Sequence, residues 1–421
     1  MRKRSLIALV AGAYLVLSGT GNASEAANAS QSDGQAETAG STQSDPAATP
    51  QTEGATATQP EDAAASTGPS EDAQQEVHHV RWFPPRLYAG GVFYLPKVTY
   101  SDSRGLGLGG DAIFPFRWPG SQAELPASEL RLKGRITMKG QTQADVQAVV
   151  YPNDDFGLKV RVAHETLSER FYGFGPNAPE DAEEEYRPSH LDAYVEVFRD
   201  VWKDIRLGAR FELERVDLLE TEPGGALAVG DIRGSEDGEN AIGTGLVLDW
   251  DRRDSRYFPR RGFYLQSFAL FFDEDIGSNY DFNNYHLDAR GYLSPTPTHV
   301  LALQFFTFVA KGEPPFWHFA ELGGRAHSRG FRRGRYRDRM LVAAQAEYRV
   351  RFLWRIGAAG FFGVADVAST AEKMQLEYMK ANFGGGPRLF LGDPGREITV
   401  RFDVGFGGNV PRYYFSLGEA F

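Results

Sequence analysis

The side chains able to do chemistry are scattered along this sequence rather than gathered. His78-His79 is its one adjacent histidine pair, and imidazoles ligate metals only in the company of further ligands. The run Gly105–Gly110 has the texture of a phosphate-cradling loop, but it lacks the lysine that such a loop sets on the phosphates. No Gly-x-Ser-x-Gly elbow is present to raise a serine nucleophile. Cysteine is absent, which removes disulfides, thiolate metal sites and a thiol nucleophile together. Asp and Glu are plentiful, yet they alternate with apolar residues along extended runs, as on a hydrated surface. No catalytic constellation emerges, so neither an enzyme, a metal nor a cofactor is expected.

Those alternating runs are the elements that must position anything functional. In Glu397–Phe406, Ile398, Val400, Phe402, Val404 and Phe406 share one face, while Glu397, Thr399, Arg401, Asp403 and Gly405 share the other. In Leu341–Phe352, Val342, Ala344, Ala346, Tyr348, Val350 and Phe352 oppose Gln345, Glu347, Arg349 and Arg351. A period of two with charges on the second face describes a strand with one greasy and one wet surface. About sixteen such segments follow one another. Their centres fall near Thr99, Ile113, Gly134, Gln147, Val160, Tyr194, Ala209, Leu246, Leu265, Leu287, Leu303, Ala344, Phe361, Gly384, Val400 and Leu417. Even-to-odd connections are mostly short, as at Asn153–Asp155, Asp200–Asp204, Pro295–Pro297, Phe352–Arg355 and Gly392–Gly395. Long polar loops occupy Glu165–Glu185, Arg215–Asn240 and Ala310–Arg339. Short turns on one side and long loops on the other suit an outer-membrane barrel with both termini in the periplasm. Backbone in hydrocarbon must satisfy its own hydrogen bonds, which leaves helices or closed barrels. No run of about 20 apolar residues exists to make a spanning helix. The fold class expected is therefore all-β, a transmembrane antiparallel β-barrel. Aromatics near strand ends (Trp250, Tyr257, Phe258, Phe271, Phe272, Tyr413, Tyr414) suit interfacial girdles.

Charge is distributed unevenly. The net charge of −11 comes largely from residues 24–77, where ten acidic side chains meet no Lys, Arg or aromatic residue. Beyond Val77 the chain is nearly balanced, and no basic stripe marks it for nucleic acid. Arg2, Lys3 and Arg4 precede an apolar run, Leu6–Leu17, that is too short to span and ends in small residues. Residues 1–23 read as a secretory signal peptide. The acidic Ala/Ser/Thr/Gln-rich tract 24–77 has nothing to bury and reads as a flexible periplasmic leader. Residues 78–95 are a pre-barrel segment, and 96–421 the barrel itself.

Four motifs go beyond fold. One is the final segment, Tyr413 to Phe421, in which Phe415, Leu417 and Phe421 alternate and Gly418 and Glu419 interrupt. A second is Asp249–Asp254 with Tyr257–Gly262, a turn motif carrying Asp251, Arg253, Asp254, Pro259 and Gly262. A third is Ala326–Phe331, centred on Ser328, Arg329, Gly330 and Phe331, followed by Gln345–Arg349. The fourth is Gly363–Asp366, then Gly384–Arg388 and Arg401–Phe406. At these residues the chain resembles the BamA/TamA superfamily of outer-membrane assembly and translocation barrels, from about Pro96 to Phe421. The resemblance implies a sixteen-stranded barrel whose sixth outer loop folds into the lumen. Its tip arginine, Arg329, would pair with inner-wall carboxylates, Glu347 and Asp366. The strand period independently puts Glu347 on the wet face. A guanidinium between two carboxylates makes charge-assisted hydrogen bonds that add little net stability but fix a long loop in place. Phe415, Leu417, Gly418 and Phe421 would serve as assembly signal and as a weakly paired seam with the first strand. Residues 24–77 are too polar to form the POTRA modules of insertase relatives, so a subgroup without them is expected. The function implied is assistance to insertion or translocation of protein or lipid at the outer membrane, with a passive pore or structural barrel as the alternative. Expected partners are outer-membrane lipids, the assembly machinery and a polypeptide or lipid cargo. A monomer is expected.

Overall fold

The alternation seen in the sequence becomes a single meander. The structure, a computed structural model, describes residues 88–89, 92–101, 105–119, 127–153, 155–230, 232–255, 258–391 and 398–421. The expected signal peptide, leader and most of the pre-barrel segment lie outside these residues, as do Tyr257 and the turn at Gly392–Gly395.

Sixteen long strands follow in chain order: β1 (Val92–Ser101), β2 (Gly105–Phe116), β3 (Ser128–Thr137), β4 (Thr142–Val150), β5 (Gly157–Glu165), β6 (Glu184–Trp202), β7 (Ile205–Glu220) and β8 (Asn240–Asp251). The second half comprises β9 (Gly262–Phe272), β10 (Phe282–Thr296), β11 (His299–Gly312), β12 (Met340–Arg351), β13 (Ile356–Ala368), β14 (Lys380–Leu391), β15 (Ile398–Phe406) and β16 (Arg412–Leu417). Each pairs antiparallel with the next. All sixteen expected centres fall inside these strands, Leu417 at the last residue of its own. β1 starts at Val92, four residues before the expected Pro96. β1 is laddered to β2, where Pro96 stands opposite Gly110, and to the two-residue strand Tyr88–Ala89.

The two faces differ as the period demands. Along β12, Leu341, Ala343, Gln345, Glu347 and Arg349 are buried, whereas Tyr348 is half exposed. Leu246, Leu303, Phe305, Phe362, Phe402 and Phe415 stand out from the wall, apolar and uncovered. In water such a belt would be an aggregation surface; in hydrocarbon it is the solvated face. The opposite face carries buried charges in pairs, such as Arg210 with Glu196 at 2.7 Å and Arg161 with Asp145 at 3.0 Å. Among the described residues no helix is long and apolar enough to cross a membrane.

The long loops 166–183, 221–239 and 313–339 all leave odd-numbered strands, so they gather at one end. The turns at Lys203-Asp204, Pro297-Thr298 and 352–355 lie at the other. At the long-loop end the sheet curls on itself. Asn409, between β15 and β16, donates to Glu180, between β5 and β6, and Arg335 donates to the Ala178 carbonyl at 2.9 Å.

Candidate functional site

Loop six (313–339, the sixth on the long-loop end) does not project outward. It folds as a small hairpin, Ala320–Leu322 against Tyr336–Asp338. Ala320, Leu322 and Phe331 pack on the inward side chains Leu341, Ala343, Ala365 and Val367 of β12 and β13. Each large apolar side chain so buried contributes roughly 1.5–3 kcal/mol, so hydrophobic contact supplies the adhesion and polar contacts set the register. Glu321 ties the hairpin internally, with Arg333 Nε at 2.7 Å and Arg337 beside it. Burial would raise this carboxyl, but the two guanidiniums overcome it and lower it to about 2. A second polar contact holds the loop's base, where His318 Nε2 lies 2.9 Å from Glu214 of β7. His190 of β6 stands 3.5 Å from the same carboxylate oxygen.

The tip, Ser328-Arg329-Gly330-Phe331, is buried throughout. Gly330 has φ +116°, and a Cβ there would sit 2.5 Å from the Phe406 carbonyl carbon. Gly405 is bare for the same reason, since its Cβ would fall 2.8 Å from the Gly330 nitrogen. The loop backbone therefore lies directly on the β15 backbone, a spacing only glycine allows. The Gly330 N–H donates to Tyr414 Oη at 2.9 Å. Tyr414 and Phe272 are thus lumen residues, not members of an interfacial girdle; Phe271, one residue away, takes the outward face.

Arg329 is fully buried. Its Nη1 lies 2.6 Å from Glu347 Oε2 and 2.9 Å from Asp403 Oδ2. Its Nη2 donates to Gln345 at 3.3 Å, and the guanidinium rests 3.5 Å from the centroid of the Phe361 ring. The second carboxylate is therefore Asp403 of β15, not Asp366. The register explains the difference. Glu347 stands opposite Phe361, both facing inward. Asp366 is five residues past Phe361, an odd step; it stands opposite Val342 and is buried, and among the described residues no ion pair joins it to Arg329. Asp403 shares its face with Arg401, as the alternation in Glu397–Phe406 already required.

Glu347 and Asp403 sit in a larger network that no single motif announces. Arg349 Nε is 2.7 Å from Glu347. Arg388 Nη1 is 2.6 Å from Asp403, its Nη2 3.7 Å from Glu347 and its Nε 3.0 Å from Glu419. Arg401 Nη1 is 3.5 Å from Asp403. Four guanidiniums and three carboxylates from loop six, β12, β14, β15 and the segment after β16 are thus joined out of contact with water. Such a cluster gains little net free energy against desolvation, but losing one member leaves a buried charge short of partners. Chemically it is a fixed clamp of paired charges.

The turn motif between β8 and β9 is built as its residue types suggest. Arg253 makes a two-pronged bond to Asp251, with Nε and Nη2 each at 2.8 Å. Asp254 accepts the N–H groups of Arg260 at 2.9 Å and Arg261 at 3.2 Å. Gly262 has φ +96°. The Pro259 carbonyl accepts from Arg349 at 3.4 Å, which brings this turn to the network's edge. In the final segment, Phe415 faces outward, while Gly418 has φ +80° and ends the strand. Phe421 is buried inside rather than continuing the outward row of Phe415. The positive φ at Gly418 reverses the side-chain alternation, which a count of period two cannot anticipate.

The model of the Omp85 superfamily domain matches residues 140–421. Among solved structures, the chain is similar to BamA from Haemophilus ducreyi lacking POTRA domains 1–3, at 14% identity and a TM-score of 0.52, over 78% of this chain and 69% of that one. It is similar to CdiB from Escherichia coli at 9% identity and a TM-score of 0.52, over 79% of this chain and 62% of that one. CdiB from Acinetobacter baumannii gives 11% identity and a TM-score of 0.51, over 78% of this chain and 60% of that one. The chain thus spans less than two thirds of either CdiB protein. At these identities the likeness is one of fold. No curated protein matches. With the domain covering β4 to β16 and the lumen loop in place, the chain belongs to the Omp85 superfamily of bacterial outer-membrane β-barrels.

Proposed function

We propose that this barrel assists the insertion or translocation of polypeptide or lipid at the outer membrane, with loop six and the β1/β16 seam as its working parts. The observation that carries this reading is the loop-six clamp. A dedicated loop reaches the inner wall and spans β12 to β15 through Arg329, Glu347 and Asp403. A barrel needed only as a passive pore would have no use for a buried ion network that occupies its own lumen. Depletion of the protein should change the protein or lipid content of the outer membrane. Normal outer-membrane content after depletion, together with a wide and steady ion-selective conductance of the purified barrel in a planar bilayer, would replace this reading with that of a passive pore.

A further inference from the structure

The residues after β16 form a device separate from the loop-six tip. Gly418 turns the chain out of the wall, its N–H donating to the Thr399 carbonyl at 2.7 Å. Glu419 is thereby carried inward, where Oε2 lies 3.0 Å from Arg388 Nε and 3.7 Å from Arg349 Nε. The Phe421 main-chain oxygen accepts from Arg349 Nη2 at 2.9 Å. The Phe421 ring packs with Tyr292 of β10 and Ala302 of β11, and Ala420 joins them. A segment that leaves the wall at β16 is therefore anchored on β10, β11, β12 and β14. At the other end of the meander, residues 88–89 pair with Val92 and Phe93 at the start of β1. Both seam strands thus have another occupation at their short-turn ends.

We propose that Gly418–Phe421 is an internal latch, holding the end of β16 inside the lumen and coupling it to loop six through the shared guanidinium–carboxylate network. The coupling has a definite sign. Arg388 and Arg349 divide their charge between Glu419 on the latch and Glu347 and Asp403 under Arg329. Withdrawing Glu419 leaves four guanidiniums on two carboxylates, so mutual repulsion falls on Arg329, the one member carried by a loop. Latch and loop should therefore dock together, and by linkage each favours the other equally.

Two experiments on the full-length barrel test this, in folded protein identified by its heat-resistant migration. The chain has no native cysteine, so Ala302→Cys with Ala420→Cys offers a single pair to a short bis-maleimide, with Phe421 retained. Intramolecular cross-linking is expected; its failure in folded barrel would overturn the latch. The second experiment reads loop six through maleimide labelling of Ser328→Cys. Glu419→Gln should speed labelling roughly tenfold, and adding it to Arg329→Ala should give less than the product of the separate effects. Labelling unaffected by Glu419→Gln would overturn the coupling.

Discussion

Replacing Arg329 with alanine is the most informative single perturbation of the clamp. It removes the close contacts to Glu347 at 2.6 Å and Asp403 at 2.9 Å, a longer one to Gln345, and the seat on Phe361. Charged hydrogen bonds are worth about 1.5–3 kcal/mol each, and the guanidinium recovers its hydration when the loop undocks, so the two do not add in full. The carboxylates left behind are not orphaned. Glu347 keeps Arg349 at 2.7 Å, and Asp403 keeps Arg388 at 2.6 Å. The larger penalty of about 3–5 kcal/mol for an uncompensated buried charge is therefore avoided in the wall. The loss falls on loop docking, at about 3 kcal/mol, or roughly a hundredfold in the docked-to-undocked ratio. The barrel ladder is untouched, so heat-resistant migration on gels should persist. Ser328, buried beside Arg329, supplies the assay. In a Ser328→Cys background, Arg329→Ala should raise the maleimide labelling rate by about two orders of magnitude, and loop six should become protease-sensitive. An unchanged labelling rate in a folded barrel would show that the arginine does not hold the loop.

Other outcomes follow from the same geometry. Asp403→Asn should loosen loop six by about 1.5–3 kcal/mol in that labelling assay, whereas Asp366→Asn should leave it docked. Gly330→Ala forces a side chain onto the Phe406 backbone at φ +116° and should undock the tip as completely as Arg329→Ala, with protease nicking of loop six as the readout. His327, beside the tip, is stacked on Phe306, and burial pushes its pKa from the ordinary 6.5 down to about 4. The docked loop therefore refuses a proton that the undocked loop accepts. Docking from this source is complete above pH 6.5 and is lost progressively toward pH 4, at up to about 1.4 kcal/mol per unit. Labelling followed across that range should show the trend, and His327→Phe should flatten it. Leu246 faces outward in the middle of β8, and Leu246→Arg should destabilise the barrel by about 2–4 kcal/mol in a urea refolding titration into bilayers.

Strand identity was legible because the period of two is imposed by the fold itself, one face in hydrocarbon and one in a wet lumen. Glu347 could be placed on the wet face from Gln345 and Arg349 alone. Asp366 could not, because its face depends on counting from Phe361 across a strand whose small residues, Gly357, Ala359, Gly363 and Ala365, carry no polarity signal. Asp403 was visible as a wet-face residue of its strand, but its partner lies 74 residues away and only tertiary register brings them together. Glu419 looked like a flaw in an apolar row. It faces Arg388 because the left-handed turn at Gly418 shifts the phase, and local alternation carries no trace of that. Tyr414 likewise resembled a girdle aromatic until the loop backbone was found resting on its hydroxyl.

The two-faced strands form a barrel with hydrocarbon outside and the clamp within. A nitroxide scan of single cysteines from Leu341 to Val350, in barrels folded into bilayers, tests it most directly. Labels at 342, 344, 346 and 348 should be quenched by oxygen dissolved in the membrane, while those at 341, 343, 345 and 347 should be shielded from it. Quenching without a two-residue period, or strongest at the odd positions, would contradict this arrangement.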